Sequence, residues 1–295
     1  MDRTLKIAAF SILVGIAVLG LKVLAWQVTG SVALYSDALE SIVNVATAIA
    51  TAVAVRYGAL PPDQNHPYGH HKAEYFAAVL IGVMIVLAAL SIFREAYLAF
   101  LSPRDIRAPL QGLLINAAAG AINLAWAMVL LRQGRRSGSP ALLADGRHLL
   151  TDVASSAGVI AGVALAIATG WARLDAVLAG LVALNILWSG WVVVKESIAG
   201  LMDVAAPPEL LDRIRGIIAA EADGALEAHD VRTRVAGRAT FVDFHLVVPA
   251  LMSVTDAHDI CDRIERALKA DVPGSTITIH VEPEHKAKHA GIVVL

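Results

Sequence analysis

The sequence predicts a membrane α-helical protein: six transmembrane helices followed by a small α/β domain of order αββαβ. Three observations predict it. Mean hydropathy is +0.64, and 57% of the 295 residues are hydrophobic, far above a soluble domain. Apolar runs of spanning length recur six times. After Pro207-Pro208 the composition turns charged and mixed, as in a compact soluble fold. The expected division is a transmembrane domain over 1–203 and a soluble domain over 204–295.

The spans fall near 6–27, 31–57, 73–101, 109–132, 141–169 and 175–200. The first run, Leu5 to Trp26, is longer than a signal-peptide core and lacks a small-residue cleavage site, so it reads as a span. Breakers separate the runs: Thr29-Gly30, Pro61-Pro62, Pro103, Ser137-Gly138-Ser139-Pro140 and Thr169-Gly170. Arg3, Lys6, Arg56, Lys72, Arg132, Arg135 and Arg136 lie on one side, against Arg104, Arg107 and Arg173 on the other. That bias puts both termini and the C-terminal domain in the cytoplasm. Short loops and an Ala-rich composition suggest a bacterial cell inner membrane. A formal net charge of -2 gives no reason to expect a nucleic-acid partner, and the one cysteine, Cys261, allows no internal disulfide.

The soluble part reads helix (208–220), strand (230–235), strand (240–248), helix (254–269) and strand (276–282). Val242, Phe244, Leu246 and Val248 alternate with Asp243 and His245. Ile277, Ile279 and Val281 alternate with Thr278, His280 and Glu282. The order suits an open-faced α/β sandwich with a modest core.

Ionisable groups at membrane depth mark functional sites. In the fifth span His148 and Asp152 are i, i+4 and share one helical face. In the second span Glu40 and Asn44 have the same spacing. At about 1.5 Å per residue, Asn44 sits roughly 20 Å and Asp152 roughly 17 Å from the inner ends of their spans, a similar depth. Facing each other, the two turns offer two carboxylates, an imidazole and an amide oxygen, a set suited to a divalent transition metal. The plainer alternative is a polar cluster that fastens helix to helix. Asp37 is nearer the outer surface and reads as lining the mouth, and Asp145 as lining an entry path.

The other histidines form two groups. In the second connector, Asp63, His66 and His70 can hold a metal, or belong to a His-rich solvated loop. In the soluble domain, His245 lies on one strand's solvent face and His280 with Glu282 on another's, with His229 ahead of the first strand. Each alone is an ordinary surface residue, while several on one face favour a metal. His285 and His289 read as tail residues and Cys261 as a packing residue.

These residues resemble the cation diffusion facilitators, proton-coupled exporters of divalent metals. The stretches that carry the likeness are Ser36-Asp37-Ala38-Leu39-Glu40-Ser41-Ile42-Val43-Asn44, Asn65-His66-Pro67-Tyr68-Gly69-His70-His71-Lys72-Ala73-Glu74 and His148-Leu149-Leu150-Thr151-Asp152. The resemblance covers nearly the whole chain. It implies a ferredoxin-like cytoplasmic domain and a transport site at Glu40, Asn44, His148 and Asp152. It also implies a connector site at Asp63, His66 and His70, and a cytoplasmic, regulatory cluster of His229, His245, His258, His280 and Glu282. It implies a homodimer in the lipid bilayer with a charge interlock between Lys72 and Asp203, and protons as counter-ion. Zinc exporters of the family carry Asp or His, then Asp, where Glu40 and Asn44 stand. Manganese and iron(II) therefore join zinc as candidate substrates, with cobalt, nickel and cadmium behind them.

Two other classes compete. An intramembrane metalloenzyme would need a general base beside an open metal position, and no His-Glu-x-x-His helix is present. A membrane metal sensor would use the cytoplasmic cluster and move nothing. The expectation is therefore a transporter and not an enzyme.

Overall fold

The structure is a computed structural model. It describes residues 3–29, 32–102, 110–169, 171, 173–288 and 291–293. Within these, the side chains of 28–29, 32–37, 39–40, 110–113, 159–168, 175 and 293 fall outside the description. Two compact units are present, Met1–Ile198 and Ala199–Leu295.

The first unit is six long helices: α1 (Arg3–Thr29), α2 (Val32–Gly58), α3 (Ala73–Leu101), α4 (Leu110–Ser137), α5 (Pro140–Thr169) and α6 (Arg173–Leu201). Among the described residues, five helices are long and apolar enough to cross a membrane. Only helices or closed barrels satisfy every backbone group in lipid, so apolar runs of this length fold as helices. Outward faces carry large apolar side chains such as Leu13, Phe76, Leu80 and Trp188. The interior carries small residues and polar groups, among them Ala8, Ala127, Asn123 and Asp152.

One boundary differs from expectation. α4 runs to Ser137 rather than ending near 132, so Arg135 and Arg136 form its last turn instead of a loop. Cations there face the helix's unpaired carbonyls. The α4–α5 connection is then only Gly138-Ser139, with Gly138 at φ 61, a left-handed position that glycine takes at little cost. So short a link sets the two helices antiparallel. They approach closely because glycines stand at the crossing. A Cβ on Gly134 would meet Leu143 at 2.9 Å, and one on Gly146 would meet Leu131 at 2.9 Å. α5 also packs on α2 and α3, while α1 packs on α2 and α4. α6 lies on α3, where Gly82 faces Val194 and Gly190 faces Val86.

The α2–α3 connector is held by Asp63, whose Oδ1 accepts the backbone N–H groups of Asn65 (2.9 Å) and His66 (2.7 Å). The His66 N–H is the main reason the Asp63 carboxyl stays below its usual range. Gly69, at φ 84, closes the turn onto the His66 carbonyl at 2.9 Å.

The second unit contains α7 (Pro208–Glu221), β1 (Glu227–Ala236), β2 (Ala239–Val248), α8 (Val254–Asp271), β3 (Ser275–Pro283), a 3-10 turn (Glu284–Lys286) and β4 (Ile292–Val293). The sheet order is β3-β2-β1-β4. The expected αββαβ order holds, and β4 extends it by pairing antiparallel to β1. A strand of two residues carries no alternation to betray it. β1 and β2 form a hairpin through Gly237-Arg238, with Gly237 at φ 57. β2 and β3 are parallel, as the α8 crossover requires. Val242, Phe244, Leu246 and Val248 are buried as the alternation predicts, against Ile214, Ile218, Ile260, Ile264 and Leu268 of the helices. Cys261 packs at the margin of this core, and partial burial raises its thiol pKa. Val281, expected on the core face with Ile277 and Ile279, is 39% exposed on the edge strand β3.

Gly146→Leu forces a side chain into Leu131 and is expected to destabilise the protein by about 1–3 kcal/mol. Gly216→Ala meets nothing within 4 Å in α7 and is expected to stabilise by about 0.5–1 kcal/mol. Thermal unfolding in detergent reads both. Asp63→Ala should speed amide exchange at Asn65 and His66. Because its folded pKa is lowered, the lock is fully present above the free carboxyl value of about 3.9. It is lost only as pH falls through the lower folded pKa, so the protection factor, with intrinsic exchange divided out, should be the same at pH about 5 and about 7.

Candidate metal centre

α5 presents Asp145, His148 and Asp152 on one face, with exposures of 1%, 3% and 3%. The spacing i, i+3, i+7 stacks them along the helix. Asn44 of α2 meets this face, its Nδ2 donating to Asp152 Oδ2 at 3.2 Å. The two polar turns predicted to lie at equal depth are thus in contact. Glu40 belongs to α2, but its side chain lies outside the described residues, as does that of Asp37.

Two further groups reach Asp152, and neither was among the expected site residues. Asn123 of α4 donates from Nδ2 to Oδ2 at 2.6 Å. Lys22 of α1 donates from Nζ to Oδ2 at 3.2 Å and to Oδ1 at 3.4 Å. Both partners of this ion pair are almost wholly buried. The signal in the sequence is a lone lysine and a lone asparagine, each inside an apolar run. Asn44 also differs from expectation. It turns its amide nitrogen to the carboxylate, and its Oδ1 is left without a hydrogen-bond partner among the described residues.

His148 Nδ1 and Nε2 likewise have no partner among the described residues, although both are buried. An unsatisfied buried polar group costs about 1–3 kcal/mol. Neutral His148 keeps a lone pair on one ring nitrogen, so that nitrogen and Asn44 Oδ1 are two unpaired acceptors beside the Asp152 carboxylate, a set that a cation can satisfy. Asp145 sits a turn away and is differently served: Ser11 Oγ donates to it at 3.1 Å and Thr47 Oγ1 at 3.5 Å. Trp126 Nε1 in turn donates to Ser11 Oγ at 2.9 Å.

In the connector, Asp63 Oδ1 lies 3.3 Å from His66 Nδ1, and Asp63 Oδ2 lies 3.3 Å from His70 Nε2. The three ligand atoms fall within 4.8 Å of one another, a metal-binding spacing. His70 is anchored edge-on against Tyr57 at 4.8 Å between ring centroids.

In the second unit, register does the gathering. His229 pairs with His245 across β1 and β2, and His245 with His280 across β2 and β3. Three imidazoles thus form a row across the sheet. Glu282 joins them, 3.3 Å from His229 Nε2 and 3.2 Å from His245 Nδ1. A bulge follows His229, with Asp230 at φ 52. It brings Asp230 within ligating distance of His229 and His245. Lys288 donates to Asp230 at 2.5 Å and is the main cause of its lowered pKa. His258 is not brought to this row. It stands on α8, 72% exposed, with its Nε2 3.6 Å from Asp262. Its i, i+4 partner decides its surroundings, not the sheet.

Lys72 immediately precedes α3, and Asp203, at φ 59, is held by Arg234 at 3.3 Å. The two belong to different compact units.

The family profile described as the cation efflux transmembrane domain matches residues 8–202. That described as the cation efflux protein cytoplasmic domain matches residues 206–284. An uncharacterized transporter of Synechocystis sp. is 43% identical over 276 residues, covering 94% of this chain and 89% of that one. A cation-efflux pump, FieF, of Cronobacter sakazakii is 32% identical over 278 residues, covering 94% and 92%. Among solved structures, one titled a putative zinc transporter CzrB (Zn form) is 48% identical. It covers 28% of this chain and 96% of that one, with a TM-score of 0.28. The chain is a multi-pass membrane transporter with a cytoplasmic C-terminal domain, not an enzyme. It belongs to the cation diffusion facilitator family, whose members carry out metal cation efflux.

Proposed function

We propose that this protein is a proton-coupled antiporter that exports a divalent transition-metal ion from the cytoplasm. Zinc is the first candidate, with manganese, iron(II), cobalt, nickel and cadmium to be tested beside it. Glu40, Asn44, His148 and Asp152 form the transport site. The observation that carries this reading is the set of buried lone pairs on His148 and Asn44 beside Asp152. A cluster serving only to fasten helices would leave none of these unpaired. The Lys22, Asn44 and Asn123 donors already satisfy Asp152, so His148 is the group that a purely structural role leaves unexplained.

Ligation requires unprotonated imidazole and carboxylate. Protons entering from outside compete with the metal for His148, Asp152 and Glu40, so metal leaves as protons load. His148 is the natural exchanger, since free imidazole titrates near pH 6.5. Asp63, His66 and His70 form a second metal site beside the cytoplasmic mouth. His229, His245, His280, Glu282 and Asp230 form a regulatory site. Metal there favours assembly of two chains, with Lys72 and Asp203 locking the dimer.

Reconstituted vesicles carrying a pH gradient test the reading. His148→Ala and Asp152→Ala should each cut metal–proton exchange by at least the ~10–100-fold that losing a ligand's hydrogen-bond partner costs. Exchange at the unmodified rate in both variants overturns the site. Asn44→Asp replaces a neutral ligand with a charged one and should reorder Zn, Mn, Fe(II), Co, Ni and Cd by rate. An unchanged order moves selectivity away from Asn44.

A further inference from the structure

We propose that Lys22 is a tethered counter-ion of the transport site: its ammonium holds Asp152 while no metal is bound, and metal loading displaces it. This rests on Asp152 being a transport ligand. The geometry is specific. Lys22 is 2% exposed and among the largest fully buried side chains. Its Nζ reaches both oxygens of Asp152, at 3.2 and 3.4 Å. Asn44 and Asn123 take Oδ2 as well. Every donor the carboxylate can accept at that oxygen is already present.

An ammonium and a divalent cation cannot both sit on this carboxylate at full strength, because the two cations repel in a weakly screening interior. Metal must therefore compete with an internal cation as well as with protons. The tether makes that competitor independent of solution composition. It also makes the competitor weaker than metal by design of distance: a lysine held from another helix can withdraw along its flexible stem, where a fixed dipole could not. Asn123 remains to hold Asp152 in either state. Lys22 is thus a positioning and affinity-setting residue that keeps binding loose enough for release.

The sign of one measurement separates this role from a structural one. Zinc is titrated into the full-length protein in detergent at pH about 8, where carboxylate protonation does not mask the result. Subtracting the titration of Asp152→Asn isolates the site. Lys22→Met should tighten zinc at the Asp152-dependent site about tenfold, a change of about 1.4 kcal/mol. Lys22→Arg, which keeps the charge, should bind as the unmodified protein does. If Lys22 merely props the bundle, Lys22→Met weakens zinc binding, and that result overturns the proposal. Unchanged affinity with an unchanged melting temperature overturns it equally. Should Lys22→Met fail to fold, Lys22→Gln keeps a polar donor without the charge, and the same tightening is required of it. If Asp152→Asn loses no zinc, the transport-site reading fails instead, which is a distinguishable outcome.

Discussion

One carboxylate in an apolar bundle constrains the rest of the membrane unit. Asp152 is 3% exposed, and a buried charge survives only where it is paired and hydrogen-bonded. Its donors come from three other helices: Lys22 of α1, Asn44 of α2 and Asn123 of α4. Each donor fixes the rotation of its helix about its own axis. Lipid-facing apolar surface gives little rotational preference, since one apolar face suits lipid as well as another. The packing of α1, α2, α4 and α5 is therefore specified from the polar centre outward, and glycines at the α4–α5 crossing allow the approach. Asp145 extends the same logic one level along α5, with Ser11 and Thr47 drawn from α1 and α2.

Much of this was legible in the sequence. Apolar runs gave the helices because length and composition leave no alternative in lipid. The pairing of Asn44 with Asp152 followed from depth, which the rise per residue supplies. Lys22 and Asn123 were not legible, because depth does not say which way a helix is turned, and each stands alone without an i, i+4 companion. The end of α4 was misread because hydropathy stops where arginines begin, while helix geometry does not. In the cytoplasmic unit the alternation of β2 located its buried face. The row His229, His245, His280 needed strand register, which a bulge after His229 resets. The resemblance groups His258 with them, though its helix carries it to Asp262.

The three polar clusters illustrate three ways of gathering side chains. The membrane centre uses helix faces, which hold side chains rigidly but need partners from several helices. The connector uses a tight turn, so Asp63, His66 and His70 come together through local contacts, with Tyr57 against His70. The cytoplasmic row uses cross-strand neighbours, whose side chains lie close enough to share one ligand. Exposure follows the same order of design. The membrane groups are buried, the connector is mostly open with His70 buried, and the row grades from buried His229 to exposed His280.

The α4–α5 link of two residues has a mechanical consequence. So short a link couples α4 to α5, and the 2.6 Å bond from Asn123 to Asp152 is a second joint between the same two helices. Lys22 and Asn44 ride on α1 and α2, which pack closely on one another. A slide of one helix pair along the other shears the Lys22 and Asn44 contacts to Asp152 at the same instant and spares the joint. The centre thus has a built-in parting line, and it runs between the helices that supply the amide of Asn44 and those that supply His148.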